Sequence, residues 1–195
     1  MKPIEGFKAE APRSGYPMLP KGLYIAKITG VKLDGTEPDQ RLVIRVDITE
    51  GEFTGYYKKR YDAEKVMNSQ YETKYKGDYN LQIPDKNNPR AQHFDWDLNK
   101  FNAAIWAVED SNPGYHWDWN EASLKGKTIG INVQQGVYNG NPYTRIGRLE
   151  SVNQIREGKC KLMKDAAPRT GGQTGGTVTA AAPEAYTVVD DEVPF

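Results

Sequence analysis

The chain has 195 residues, of which 37% are hydrophobic and 27% are charged, with 26 basic and 26 acidic side chains. This composition is that of a globular protein, and no apolar run approaches the roughly 18 residues that a membrane-spanning helix needs. The length allows one sizeable core and is short for two ordinary domains, so we expect a single soluble domain with extended ends.

The N-terminus and the cysteine content indicate the compartment. The first residues, MKPIEGFKAEAPRSGYP, lack the apolar block of a secretory signal. Cys160 is the only cysteine, so the chain cannot form an internal disulfide and has too few thiols for a zinc cluster or a secreted scaffold. We therefore expect the protein to work in a reducing cytoplasm.

The first half of the chain has mainly the periodicity of β-strands. Residues 1–20 contain four prolines and are predicted to form an irregular arm. The stretches 23–31 and 41–49 alternate apolar and polar residues, and 51–61 (GEFTGYYKKRY) is predicted as a third β-strand after a glycine break. In 41–49, one predicted face carries Leu42, Ile44, Val46 and Ile48, and the other carries Val43, Arg45, Asp47 and Thr49.

The period changes to that of a helix at 97–108 (DLNKFNAAIWAV). Asp97 is predicted as the N-cap, and the sequence SNPG at 111–114 is predicted to end the helix. Apolar residues recur at steps of three, four and three, which forms one stripe along the helix. The stripe consists of Leu98, Phe101, Ile105 and Val108.

Residues 127–152 are predicted to form a β-hairpin around a tight turn at Asn139-Gly140. The predicted order is then three β-strands, a helix and two β-strands, in a mainly β fold. This order is similar to that of an OB-fold, a five-stranded, partly open barrel. We assign the OB-fold-like domain to 21–164, with a helix-containing insertion at 62–122 that is longer than the fold requires.

The end of the chain differs in composition from the body. Residues 165–187 are rich in Gly, Ala, Thr and Pro and offer little to bury, which predicts a flexible linker before a tail at 188–195. Residues 165–195 hold one basic and five acidic side chains, so the first 164 residues carry four excess positive charges. This separation is typical of an acidic interaction tail beside a mildly basic body.

Tyrosines and basic residues interleave in three windows, TGYYKKRY, YETKYKGDY and VYNGNPYTRIGR. Aromatic rings offer unpaired bases a stacking surface worth about 1–3 kcal/mol per base, and Lys and Arg neutralise phosphates. The interleaving predicts binding of single-stranded nucleic acid, although an ordinary half-exposed sheet with paired tyrosines would show the same pattern. The residues predicted to contact DNA are Tyr56, Tyr57, Lys58, Lys59, Arg60, Tyr143, Arg145 and Arg148.

Two stretches, HFDWDLN and YHWDWNE, offer an alternative, since their histidines and aspartates would suit the divalent ion of a metal-dependent nuclease. Neither stretch matches a known metal-site spacing, and acids at the start of a helix are favoured by its dipole. We therefore predict no catalytic residue, no metal site and no cofactor. The nuclease alternative would use His93, Asp95, Asp97, His116 and Asp118.

The last six residues combine three acids with an apolar end and a terminal carboxylate. Burying one phenylalanine yields only about 1.5–3 kcal/mol, so a pocket for its ring alone would hold the end weakly. A partner's Arg or Lys on the terminal carboxylate, and a basic rim facing the acids, would add direction and steering. The pattern predicts a partner-docking tail, and acids that only improve solubility are the simpler alternative. The tail residues are Asp190, Asp191, Glu192, Val193, Pro194 and Phe195.

This ending resembles that of bacterial and phage single-stranded-DNA-binding proteins, whose chains end in an acidic run, a branched aliphatic residue, proline and phenylalanine. The resemblance implies a protein of the bacterial host cytoplasm that coats unpaired DNA. It also implies that the tail recruits replication, recombination and repair proteins and competes with DNA for the basic surface. It covers six residues, and the body with its long insertion departs from the family's pattern.

Taken together, the residues predict a non-enzymatic single-stranded-DNA-binding protein with no membrane partner. The alternative from a different class is a phage adaptor or structural protein that binds other proteins but no DNA. The oligomeric state stays open, and a homo-oligomer is compatible with the sequence.

Overall fold

A computed structural model describes residues 16–67, 70, 72–88 and 93–170 of the chain. The protein is mainly β, with helices between the β-strands. The strands are β1 (Gly22–Asp34), β2 (Arg41–Ile48), β3 (Asp78–Gln82), β4 (Thr128–Tyr138) and β5 (Asn141–Glu150). The α-helices are α1 (Tyr56–Met67), α2 (Phe94–Ser111) and α3 (Val152–Arg156), and a short 3-10 helix spans Glu121–Leu124.

The five β-strands form one antiparallel sheet in the order β3-β2-β1-β4-β5. The central β1 pairs with both β2 and β4, and a bulge between Ile28 and Gly30 bends it between these two partners. The sheet curls until Cα atoms of the edge strands β3 and β5 come within 8 Å of each other. The hydrogen-bonded pairing of the described residues nevertheless ends at these two strands, so the sheet is not closed.

The inner face of the curled sheet forms the core. The predicted inner face of β2 is confirmed, since Leu42, Ile44, Val46 and Ile48 are all no more than 2% exposed. Side chains of β1 and β4, such as Ile28 and Ile131, meet them there. At about 1.5–3 kcal/mol for each large aliphatic side chain, this face is a main source of stability.

The predicted third β-strand is wrong, because residues 56–67 form α1 and the third strand of the sheet is β3, inside the predicted insertion. The interleaving of tyrosines with basic residues extends only to Tyr61, a stretch too short to separate a period of two from one of 3.6. The following residues add ion pairs four positions apart, Lys58–Asp62 and Arg60–Glu64, which favour a helix.

A side chain from β2 caps α1. The Asp47 carboxylate accepts hydrogen bonds from the backbone N–H groups of Tyr57 at 3.0 Å and Lys58 at 3.4 Å. These are N–H groups that a helix start leaves without a partner inside the helix, and a negative charge there is also favoured by the helix dipole. The cap lies ten residues upstream, so no local capping pattern announces it.

The predicted helix at 97–108 is confirmed but begins earlier, at Phe94. Asp97 is therefore not the N-cap; it lies in the first turn and is 8% exposed. The buried face is also turned from the predicted stripe, because small residues let the helix approach β4 and β5 closely. The buried residues of α2 are Asp97, Phe101, Ala104, Ala107 and Val108, while Leu98 and Ile105 are half-buried.

The predicted hairpin is confirmed. Tyr138 pairs with Asn141, which leaves Asn139 and Gly140 as a two-residue turn. Both turn residues have positive φ, 49° and 78°, as the tight turn favoured by Asn-Gly requires.

The helix α2 ends at Ser111, as the sequence SNPG predicted. The Asn112 side chain forms hydrogen bonds both with the Val108 carbonyl and with the backbone of Thr128 in β4.

Both predicted domain boundaries cut into the folded body. Leu19, inside the predicted arm, is 1% exposed in the core. At the other end, Ala166 and Arg169 donate backbone hydrogen bonds to Gln135 and Val137 of β4 at 2.7 and 2.9 Å. The start of the predicted linker therefore lies along β4, because its N–H groups form hydrogen bonds with backbone carbonyls of that strand.

Within the described ranges, none of the helices has both the length and the apolar composition required to cross a bilayer.

Candidate nucleic-acid interface

An open groove of about 720 Å³ lies on the outer face of β1, β2 and β3. Successive side chains of a β-strand point to opposite faces of the sheet. The residues that alternate with the core residues therefore point outward and form the floor of the groove. Three rows of paired residues cross this face: Arg45 lies between Gly30 and Asp78, Val43 between Lys32 and Asn80, and Arg41 between Asp34 and Gln82. The sheet therefore presents basic side chains at its centre.

Three other elements complete the groove. The segment 72–76, which leads into β3, contributes Glu72, Thr73, Lys74, Tyr75 and Lys76. Tyr61 extends from α1, and Thr144 and Arg145 reach the groove from β5. The curl of the sheet explains the last contribution, since it brings β5 beside β3. The groove is thus assembled from residues more than 100 positions apart.

The lining of the groove is cationic. Its basic side chains are Lys32, Arg41, Arg45, Lys74, Lys76 and Arg145, and its acids are Asp34, Glu72 and Asp78. Two of the acids are occupied by arginines: Arg41 Nε lies 2.9 Å from Asp34, and Arg45 donates to both oxygens of Asp78 at 2.8 and 2.9 Å. These exposed pairs fix the two guanidinium groups in place and contribute little to stability.

An arginine lies over tyrosine at one side of the groove. The Arg45 guanidinium carbon is 4.6 Å from the centre of the Tyr75 ring, and the Tyr61 ring centre lies 5.8 Å from that of Tyr75. The Tyr75 hydroxyl donates to the Val46 carbonyl at 3.2 Å. Burial, together with the nearby Asp47 carboxylate, raises the pKa of Tyr75, so its hydroxyl stays protonated at neutral pH.

One polar atom in the groove wall has no hydrogen-bond partner among the described residues. The Thr73 hydroxyl oxygen is buried and makes no hydrogen bond within the described part of the chain. Buried hydroxyls are rarely left in this state, because the lost hydration costs free energy. Thr73 lines the groove, but its hydroxyl oxygen is enclosed by protein atoms and does not open into the groove.

Tyr56 and Tyr57, predicted to stack on bases, are each only 4% exposed. They are the buried residues of α1, and their rings meet edge-to-face with centres 5.3 Å apart. Tyr56 also donates to the Pro17 carbonyl at 2.7 Å. The prediction that these two rings contact DNA is therefore corrected: a helix places both on its inner side, where no base can reach them.

The three basic residues that follow lie on α1 and are not among the described residues that line the groove. Lys58 and Lys59 are exposed; Lys58 pairs with Asp62, and Lys59 donates to the Thr54 carbonyl at 2.8 Å. Arg60 is half-buried and bonds Glu64 at 2.7 Å and the Tyr56 hydroxyl at 3.4 Å. Arg60 therefore has a structural role on the inner side of α1.

The three residues of β5 that were predicted to contact DNA do not share one site. Arg145 lines the groove and bonds Gln134 at 3.1 Å. Tyr143 pairs across the hairpin with Gly136, where its ring occupies the space that a side chain would need. Arg148 lies outside the groove and donates to Glu150 at 2.7 Å. Of the eight predicted contacts, only Arg145 is in the groove.

Sequence reasoning missed the residues of the groove floor. Arg41, Val43 and Arg45 follow one another at steps of two on the outer face of β2. The strict alternation of that strand was therefore the available signal for the two arginines. Lys32 and Asn80 carry no such signal, because their places depend on the register of β1 and β3 against β2.

The residues of the nuclease alternative are spread over two regions. Asp95 and Asp97 lie in the first turn of α2, while Asp118 accepts hydrogen bonds from the Asn120 N–H and the Ser123 hydroxyl. Among the residues that the structure describes, no three His, Cys, Asp or Glu side chains are grouped so that they could hold a metal ion.

The predicted tail, Asp190 to Phe195, lies outside the described residues, as does most of the predicted linker. No family of known proteins matches this chain, and neither does any curated protein.

Proposed function

We propose that this protein binds single-stranded DNA in the groove on the outer face of β1, β2 and β3, and recruits other proteins through its C-terminal tail. The observation on which the proposal rests is the groove itself, where two tyrosines accompany six basic side chains, one of which is the arginine held over a tyrosine ring. Stacking surfaces for bases and cations for phosphates are what a sequence-tolerant single-strand site needs.

The topology supports an OB-fold as the scaffold. The sheet order β3-β2-β1-β4-β5, with β3 beside β5, is compatible with a five-stranded barrel left open at one seam, and α2 lies between the third and fourth strands. OB-folds bind oligonucleotides on the face of their second and third strands and at the loops beside it. The groove occupies that face.

The chemistry favours single strands over duplex. The groove gives flat side chains, Tyr61, Tyr75 and the Arg45 guanidinium, which can contact base faces only when the bases are unpaired. Lys74, Lys76 and Arg145 border it and would meet phosphates. Non-specific binding by these groups is expected to weaken strongly with salt.

A fluorescence titration of labelled dT oligomers at several salt concentrations tests this function. We expect preference for single strands over duplex, and log affinity that falls with log salt by about 0.7 for each phosphate neutralised. Replacing Lys74, Lys76 or Arg145 by alanine should each lower affinity and reduce the slope by about that amount. Lys125→Ala, an exposed lysine before β4 and outside the groove, is the matched control.

Two results would overturn the proposal: equal affinity for duplex and single strand, or no DNA binding at low salt. A protein that bound partners through its tail but failed this titration would instead be the adaptor that the sequence left as an alternative.

A further inference from the structure

Three of the described arginines line the groove, and they are held in two different ways. Arg41 and Arg45 are each paired with a carboxylate of the groove, which compensates their charge. Arg145 instead donates from Nε to the side-chain oxygen of Gln134 at 3.1 Å, and it forms no ion pair within the described part of the chain. An amide is neutral, so Gln134 orders Arg145 without compensating its charge. The two terminal nitrogens of the guanidinium group stay available for a ligand.

The Gln134 side chain is itself fixed at both ends. Gln134 lies directly opposite Arg145 in the register of β4 and β5 and is 8% exposed. Its Nε2 donates to the Lys164 carbonyl at 2.6 Å, while its Oε1 accepts from Arg145. An arginine nitrogen can only donate and a backbone carbonyl can only accept, so these two partners determine the orientation of the amide.

Lys164 belongs to residues 161–169, which we call the strap because this segment lies across β4. The buried Asn132 side chain donates to the Lys161 carbonyl at 2.9 Å and accepts from the Met163 N–H at 3.3 Å. Further along, the strap makes the backbone hydrogen bonds to β4 described above for the start of the predicted linker. The strap is therefore tied to β4 on both sides of the carbonyl that holds Gln134.

Resting on the proposed function, we propose that Gln134 is a positioning residue of the DNA site. Held by the strap, it keeps Arg145 in the conformation that meets a phosphate and leaves the charge of this arginine for the DNA. Ordering a long side chain before binding lowers the entropy cost of the complex. The segment from which the predicted tail extends thus contributes to the DNA site through its contact with Gln134.

A double-mutant cycle with dT oligomers tests this role in the full chain. Gln134→Met keeps the length of the side chain and removes both hydrogen bonds. It should bind about two- to tenfold more weakly, the range expected when one long side chain must be ordered on binding. Combined with Arg145→Ala, the same substitution should change affinity by less than about twofold, whereas combined with Lys74→Ala it should keep its full effect. A purely structural role would weaken binding equally in both backgrounds.

Gln134→Glu tests the importance of a neutral partner. It would give Arg145 a carboxylate, as Arg41 and Arg45 already have. The slope of log affinity against log salt should then fall by about 0.7, the value for one phosphate. Gln134→Met retains the charge of Arg145 and should change this slope little. Equal slopes for the two variants would contradict the claim that the charge is kept for the DNA.

A pair of proline variants tests the strap. Ala166→Pro removes the N–H that donates to the Gln135 carbonyl at 2.7 Å. It should weaken DNA binding by about two- to tenfold, and only while Arg145 is present. Ala167→Pro is the matched control, since among the described residues the Ala167 N–H donates no hydrogen bond. Equal binding by the two proline variants would reject a role for the strap.

The outcomes separate this inference from the function on which it rests. If the unmodified protein binds no dT oligomer, both are rejected. If it binds, but Gln134→Met either matches it or weakens binding equally with and without Arg145, the positioning role alone is rejected. Urea unfolding shows whether Gln134→Met is folded, and the proline pair decides the question if it is not.

Discussion

At the scale of single residues, Gly77 shows how close packing places the side chains of the groove. A Cβ atom at this position would lie 2.6 Å from the Val46 carbonyl oxygen, 2.7 Å from Cγ of Tyr57 and 2.8 Å from Cε1 of Tyr75. Real Cβ atoms do not approach so closely, so only glycine lets the segment before β3 lie against β2. This contact holds Tyr75 beneath Arg45 at the edge of the groove.

Gly77→Ala is therefore expected to destabilise the protein by about 1–3 kcal/mol, the usual cost of overpacking a filled site. It should also weaken binding of dT oligomers, because Tyr75 must move. Urea unfolding and the DNA titration measure the two effects. Gly30→Ala is the matched control for stability, since a Cβ there meets only Cβ of Arg45 at 3.8 Å. Equal stability of the two variants would contradict the close-packing argument.

At the scale of elements, α1 shows how a basic, tyrosine-rich segment is used for packing. Its Tyr56 and Tyr57 rings belong to a connected aromatic cluster with Tyr16, Phe53 and Tyr75. Edge-to-face contacts of this kind add about 0.5–1.5 kcal/mol each beyond burial of area. The helix is therefore held by its aromatic side, while its lysines remain in solvent.

The buried phenol of α1 predicts sensitivity to alkali. Burial raises the pKa of Tyr57 well above its ordinary value near 10. Below pH 10 the phenol is protonated in both the folded and the unfolded chain, so it causes no pH dependence there. Above pH 10 the unfolded chain loses its proton first, and stability falls as pH rises towards the folded pKa.

Tyr57→Phe should therefore lose less unfolding free energy than the unmodified protein between pH 8 and pH 11, by about 1 kcal/mol. Urea unfolding at the two pH values measures this difference. Tyr138→Phe, at a half-exposed tyrosine of β4, is the control for the loss of a hydroxyl. An identical loss of stability in the Tyr57→Phe variant and the unmodified protein would argue against the protonated, buried phenol.

At the scale of the whole molecule, the curl of the sheet decides where basic residues from distant parts of the chain meet. It brings Arg145 of β5 to the groove that Arg45 of β2 and Lys74 line. Residues 1–164 hold 25 basic and 21 acidic side chains, whereas residues 165–195 hold one basic and five acidic ones, so the excess positive charge lies on the body. Our proposal divides the work accordingly, with DNA on the body and partner proteins on the tail.

Removal of Phe195 tests this division. We expect unchanged or slightly higher affinity for dT oligomers, because the groove is intact and the tail's competition with DNA is weaker. Capture of replication and recombination proteins from a bacterial lysate should be lost, because the apolar anchor beside the terminal carboxylate is gone. Thr177→Ala, within the predicted linker, is the control; unchanged capture without Phe195 would reject a docking role for the tail.

The sequence by itself determined the elements whose signals are local. Alternation of apolar residues placed β1 and β2, a helical period placed α2, and Asn139-Gly140 placed the hairpin of β4 and β5. Each follows from a few neighbouring residues, because side-chain period and turn conformation are properties of the local backbone. The acidic ending was readable for the same reason, and its function stays a prediction.

Only the tertiary structure decided the nature of residues 56–67 and the location of the groove. Asp47 caps α1 from another element, so the helix depends on a contact that no local window contains. Lys32, Val43 and Asn80 share one row because the strands pair in a particular register, and Arg145 joins them because the sheet curls. Contacts between distant parts of the chain form together with the core. This is the physical reason why the interleaved windows, which supply Tyr61, Lys74, Tyr75, Lys76 and Arg145 to the groove, did not reveal its floor.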